Sequence, residues 1–300
     1  MWEVVKLAKQ IKEPSFAHLV LLGLMATFPP TRFLLNLHRK KIIDHSTIEE
    51  KPHHLTQIPV IYIHGFRGGD YTTKVMVDEA LKQKGNPKFL KVTVDLFKNV
   101  TLEGTWTADE NPVIQLIFQQ KIVGVYAICY YLNYILPFLA KKYHFVKYNA
   151  VGHSLGAPSI IRTEMKSPKR KSSFPHLQKV ALVAGPFDGV MFLGDIPNVN
   201  YLNRRGRPLL MNLSYLSMLL NRRKFPENIS VLNVYGNVED ETNTDKFISV
   251  VSAKSIRYIL APIVRRFSEV EVRGAAAEHS EMHDNQLVIG IVNSFIYSNK

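Results

Sequence analysis

Lys147-Tyr148-Asn149-Ala150-Val151-Gly152-His153-Ser154-Leu155-Gly156 is the stretch that decides how this chain of 300 residues is read. Lys147–Gly152 is strand-like, and the residues after Ser154 read as helix. Between them lies Gly-x-Ser-x-Gly, the pattern of a sharp strand-to-helix turn. Such a turn is too tight for side chains at both flanking positions, so glycines stand there. The serine at its apex is held in a strained conformation that exposes its oxygen. The backbone N–H of Leu155, at the start of the helix, then points at an oxyanion forming on a substrate. Ser154 is therefore expected to be a nucleophile and Leu155 an oxyanion donor.

Working outward, strand-like and helix-like segments alternate. Pro59–Ile63 is a short apolar run bounded by turn signals, as expected of a strand buried in a parallel sheet. Asp78–Lys84 reads as helix, Phe89–Phe97 and Val113–Phe118 as strands, and Val123–Lys142 as a helix that Pro137 should kink or end. Val180–Ala184, Ile229–Tyr235 and Val270–Arg273 are further strands, and Gln286–Tyr297 is a closing helix. This alternation predicts an α/β fold with a mostly parallel central sheet and helices on both faces. The pattern breaks between residues 191 and 228, where Leu209, Leu210, Leu213, Leu216 and Leu220 recur at helical spacing between clusters of arginine. A helical lid or cap inserted over the sheet edge is expected there.

A loop directly after the first buried strand, His64-Gly65-Phe66, is placed to supply a second oxyanion N–H, from Phe66. His64 reads as a structural residue rather than a base. An acid and then a histidine must follow the serine in chain order. The acidic loop after Tyr235 offers Glu239, Asp240, Glu241 and Asp245. Asp245 is preferred because it stands just before an apolar run, where a carboxylate can be fixed against an imidazole; the others suit a solvated loop or, less well, calcium. His279 and His283 are the histidines beyond it. His279 comes first after the last strand and is expected to reach Ser154. The two also share the spacing of paired metal ligands on a helix, but no third ligand is evident, so neither metal nor cofactor is expected.

Composition adds limits. Thirty-eight Lys and Arg against 25 Asp and Glu leave a formal charge of +13, which favours an anionic partner such as an acidic membrane surface. The basic residues are scattered and carry no nucleic-acid motif, so nucleic acid is not an expected partner. The single cysteine, Cys129, excludes an internal disulfide and reads as a buried thiol. Residues 1–41 hold an amphipathic helix pattern and a 13-residue apolar run, Phe16–Phe28, too short to span a bilayer at about 20 residues. An interfacial anchor, a signal-like segment and a packed piece of the domain are the three readings of it. A place at the cell membrane or cell surface is expected, with the cytoplasm left open.

Taken together, several segments resemble the bacterial α/β hydrolases of unknown function often labelled cell-surface hydrolases, which are lipase-like in plan. The segments are Ile61-Tyr62-Ile63-His64-Gly65, Asn111-Pro112-Val113-Ile114-Gln115, Asn149–Ser154, Ala184-Gly185-Pro186-Phe187, Thr244-Asp245, and His279–Asn285. The resemblance spans roughly residues 58–298 and implies an α/β-hydrolase fold, the domain being expected at residues 42–300, with nucleophile Ser154, acid Asp245 and base His279. Two positions depart from it: Thr244-Asp245-Lys246 stands where the family usually has Ser-Asp-Gly, and Ala157 where it usually has a second glycine. Lys246 is placed to pair with Asp245 and draw it from the histidine. The expected activity is cleavage of a small-molecule or lipid ester through an acyl-enzyme. Thioesterase, amidase or acyltransferase chemistry uses the same residues. A non-catalytic surface-binding protein on the same scaffold is the rival.

Overall fold

The computed structural model describes residues 31, 39–121, 123–166 and 173–298. Apart from Thr31 and residues 39–41, the N-terminal segment 1–41, with all three readings of it, lies outside the described residues. The elements run β1 (Ile42–Ile48), β2 (Val60–Ile63), α1 (Asp70–Lys84), β3 (Leu90–Val94), β4 (Val100–Trp106), β5 (Val113–Phe118), α2 (Val125–Tyr143), β6 (Lys147–His153) and α3 (Gly156–Met165). They continue with β7 (His176–Val183), β8 (Val190–Met191), β9 (Gly194–Asp195), α4 (Leu213–Asn221), β10 (Ser230–Asn237), α5 (Val250–Lys254), α6 (Ile256–Leu260), β11 (Arg266–Arg273) and α7 (Gln286–Tyr297).

Nine strands form one sheet in the order β1-β4-β3-β5-β2-β6-β7-β10-β11. Every neighbouring pair is parallel except β3 and β4. A tight turn explains the exception, since only antiparallel neighbours can be joined so briefly. The Asp95 carboxylate accepts from the Asn99 backbone N–H (2.8 Å) and its side-chain amide (2.7 Å), and Lys98 takes φ 64°. The expected strand 89–97 therefore stops at Val94.

The sheet is covered on both faces. Along β2, Ile61 and Ile63 join one core cluster with α2, α3 and α4, while Val60 and Tyr62 join the other with α1 and α7. A strand buried on both faces needs no polar alternation, which is why β2 reads as a continuous apolar run.

Three elements differ from their sequence pattern. The helix expected over 78–84 starts at Asp70; its first buried residues are Thr72 and Thr73, whose hydroxyls meet the Gly69 N–H and the Gln115 amide, so apolar periodicity misses them. Pro137 does not end α2, which continues to Tyr143; Leu136, Leu139, Ala140 and Tyr143 are buried beyond the proline, and this packing outweighs the lost backbone bond. In the 191–228 segment the helix begins only at Leu213, capped by Asn212, whose side chain accepts from the Tyr215 N–H (2.8 Å). Leu209 and Leu210 lie before it, in a hairpin whose Leu209 N–H donates to the Tyr201 carbonyl (3.0 Å). Helix α4 packs against α3: the Arg162 guanidinium reaches the Ser214 carbonyl (3.0 Å) and the Ser217 hydroxyl (3.2 Å).

Candidate active site

Strand β6 delivers Ser154 to the carboxyl end of the sheet, where the chain turns at once into α3. Ser154 sits at φ 52°, a left-handed conformation that costs a non-glycine residue about 1–3 kcal/mol and is held by its surroundings. Its N–H donates to the Val183 carbonyl (2.9 Å), and its own carbonyl accepts from Ala157 (3.0 Å). The flanking glycines are required by space. A Cβ on Gly156 would stand 2.5 Å from the Ile63 carbonyl oxygen, and one on Gly152 would stand 2.7 Å from Ile160 and 2.9 Å from the Ala157 nitrogen.

The acid and the histidine arrive from the ends of β10 and β11. Gly236, near the end of β10, lets them meet: a Cβ there would lie 2.1 Å from the Ala277 carbonyl oxygen and 3.0 Å from Asp245 Cβ. The Asp245 side chain is buried and fully engaged. Its Oδ1 accepts from the N–H groups of Phe247 (2.9 Å) and Ile248 (2.6 Å), and its Oδ2 lies 2.8 Å from His279 Nδ1. The His279 backbone N–H also donates to the Asp245 carbonyl (2.9 Å). His279 Nε2 lies 3.0 Å from Ser154 Oγ. An ionised carboxylate only accepts, so Nδ1 carries the proton and Nε2 is left to accept from the serine hydroxyl.

His283 takes a different place. Its Nδ1 lies 2.7 Å from Asp284, and its ring packs edge-on against His153 at 4.9 Å. His153 itself is buried between His283 and the His279 ring, 5.0 Å away. Burial, with the two neighbouring imidazoles behind it, pushes His153 well below the usual histidine value, so it is neutral and its Nε2 donates to the His279 carbonyl (3.1 Å). Nothing in the sequence marks His153 beyond its position beside Ser154.

The loop after β2 lies against the elbow, because a Cβ on Gly65 would stand 2.7 Å from the Leu155 nitrogen. Among the described residues, neither the Phe66 nor the Leu155 N–H donates to a protein acceptor. His64 organises this loop. Its Nε2 accepts from the Phe118 N–H (3.0 Å), so the proton sits on Nδ1, which donates to the Gly65 carbonyl (2.9 Å). Burial lowers its pKa, which keeps the ring neutral for both bonds.

The remaining acids of the loop lie elsewhere. Asp240 accepts from Thr242 of its own turn, and Glu239 faces Arg273 at 3.6 Å. Lys246 forms no ion pair with Asp245 among the described residues; the Thr242 hydroxyl and N–H hold the Asp240 carboxyl below its usual value, and the charge of Lys246 adds a smaller push the same way. No group of three or more His, Cys, Asp or Glu side chains among the described residues is arranged to hold a metal ion. None of the helices among these residues is long and apolar enough to cross a membrane.

Solved structures of the same fold are known. The lin2722 gene product of Listeria innocua superposes with a TM-score of 0.71 at 20% identity, covering 81% of this chain and 95% of its own. A proposed cell surface hydrolase from Lactobacillus plantarum superposes with a TM-score of 0.66 at 21% identity, covering 80% and 91%. No functionally curated protein matches the chain in sequence. A sequence model for the family described as alpha/beta hydrolase of unknown function (DUF915) matches residues 48–299.

Proposed function

This chain belongs to that family of α/β hydrolases, and on this footing we propose that it is a serine hydrolase that cleaves a carboxylic ester. One observation carries the proposal: Asp245, His279 and Ser154 stand in a hydrogen-bonded row of 2.8 and 3.0 Å, with the serine on a strained elbow.

In this mechanism Nε2 of His279 takes the Ser154 proton as Oγ attacks the acyl carbon. Asp245 orients the imidazole and stabilises its charged form. The N–H groups of Phe66 and Leu155 receive the negative charge that develops on the carbonyl oxygen; each such donor lowers the barrier by about 3 kcal/mol. His279 then protonates the departing alcohol. Water, deprotonated by the same imidazole, cleaves the acyl-enzyme and restores the serine. The substrate is a small-molecule or lipid ester, and the charge of +13 supports a place of action at an anionic membrane or the cell surface.

Hydrolysis of p-nitrophenyl esters from acetate to palmitate tests this reading. Wild-type activity that falls by more than about 10⁴-fold in Ser154→Ala supports it. Absence of hydrolysis on every ester, together with no labelling of Ser154 by a fluorophosphonate probe, would overturn it in favour of a binding protein.

A further inference from the structure

The excursion between β7 and β10 carries large apolar side chains that the fold leaves in solvent. Phe192, Leu193, Leu213 and Leu220 are 81%, 78%, 84% and 82% exposed. Ile196, Val199, Tyr201, Leu209 and Leu210 are more than half exposed. Folded monomers rarely expose contiguous apolar patches beyond a few hundred Å² unless something docks there.

Contacts across the excursion tie the segments that carry these side chains together. A Cβ on Gly194, beside Leu193, would lie 3.4 Å from the Asn212 side chain, immediately before Leu213. The Asp188 carboxylate holds both Asn200 and Asn212, which ties the hairpin to the start of α4. The Met191 N–H donates to the Phe247 carbonyl (2.9 Å), and the Phe247 ring lies 5.5 Å from the His279 ring. The excursion therefore reaches the rim of the Ser154 site.

Within the excursion the charge is almost all positive, and the exposed acidic turn of Glu239, Asp240 and Glu241 borders it at Asn198, whose amide donates to the Glu241 carbonyl (2.7 Å). Between Val190 and Pro226 the sequence holds Arg204, Arg205 and Arg207 in the hairpin, Arg222, Arg223 and Lys224 where the chain leaves α4 for the amino end of β10, and a single carboxylate, Asp195, which is buried. Lys224 lines a cavity of about 460 Å³ with Arg162 and Lys166 on the seam between α3 and α4, at the end of α3 remote from Ser154. Arg162 is buried, and among the described residues it meets no carboxylate. A bilayer with anionic headgroups satisfies both features, since apolar side chains enter the interface while the cations meet phosphates.

We propose that residues 190–226 form a membrane-docking face that seats the mouth of the Ser154 site on an anionic phospholipid surface. This rests on the hydrolase reading for its purpose, but docking itself requires no catalysis.

The test is co-sedimentation of the full chain with vesicles of phosphatidylglycerol and phosphatidylcholine, and with phosphatidylcholine alone. Three proteins are compared with wild type: Leu213→Ser/Leu220→Ser, Arg204→Ser/Arg205→Ser/Arg207→Ser, and Ser154→Ala. The substituted leucines and arginines are exposed, and unchanged melting temperatures will verify folding. Wild type and Ser154→Ala are expected to bind the anionic vesicles equally. The arginine variant should bind on the order of a hundredfold more weakly, about fivefold for each charge lost. The leucine variant should bind at least tenfold more weakly to both vesicle types. Absence of wild-type binding, or unchanged binding by the two face variants, overturns the proposal. So does a dimer in sedimentation velocity that the leucine substitutions dissolve, because the occupant would then be a second copy. Vesicle binding without any ester hydrolysis or probe labelling would sink the hydrolase reading and leave the docking face standing.

Discussion

The Nε2 of His153 donates to the main-chain carbonyl of His279 across 3.1 Å, so the residue next to the strained serine holds the loop that carries the serine's partner. With the His279 N–H bound to the Asp245 carbonyl, that loop is fixed on both sides of the imidazole. His153→Phe keeps an aromatic ring, slightly larger, in place and removes the donor. A misplacement of the imidazole by about 1 Å is enough to cost roughly a hundredfold in rate. The variant is therefore expected to lose about tenfold to a hundredfold in kcat with little change in KM. Steady-state kinetics on a soluble ester, with the rate of fluorophosphonate labelling falling in parallel, checks this.

Gly156→Ala places a methyl 2.5 Å from the Ile63 carbonyl oxygen and 3.0 Å from that of His64, both main-chain atoms with little freedom to retreat. The expected cost is about 3 kcal/mol of stability. The shift should also part the elbow from the loop that carries Phe66. Urea unfolding measures the first effect and kcat the second; a variant as stable and active as wild type would contradict the packing described.

Lys246 occupies φ 76° where the resembled pattern has glycine. Its side chain is exposed, and its N–H meets the Thr244 hydroxyl at 3.0 Å, a bond that glycine retains. Lys246→Gly removes a steric penalty of about 1–2 kcal/mol and adds back part of it in chain entropy. A net gain of about 1 kcal/mol is expected in urea unfolding.

Burial pushes the Asp188 carboxyl up to about 7, against the bonds from Asn212 and Asn200, which favour its charged form. Between the unfolded value near 3.8 and about 7 the folded state holds the extra proton, so this group's contribution to stability falls as pH rises. Asp188→Asn cannot titrate. Its stability relative to wild type should therefore climb with pH across that window, by at most about 1.4 kcal/mol per pH unit, and level off above it. Urea curves for both proteins from about pH 5 to pH 8 give the slope; parallel curves would show that Asp188 does not titrate there.

What the sequence determined by itself is what adjacent residues can encode. Strand β2 reads as an apolar run because both of its faces are covered, β5 and β6 are legible as strands, and α7 reads as an apolar closing helix. The elbow is legible because a backbone turn around Ser154 excludes side chains at Gly152 and Gly156, a purely local demand. Asp245 and His279 could be singled out by chain order and by their places at the ends of strands. Only the tertiary structure brings them to within 2.8 and 3.0 Å of their partners, across 34 and 125 positions of chain. Strands β1 and β4 left little trace, since the residues of edge strand β1 are mostly exposed and Glu103 and Gly104 of β4 interrupt its apolar alternation. The clamp on His279, the neutral state of His153 and the exposure of Leu213 and Leu220 were also beyond sequence. Each depends on what other segments place beside a residue, and burial, desolvation and hydrogen bonding are properties of that surrounding rather than of the residue.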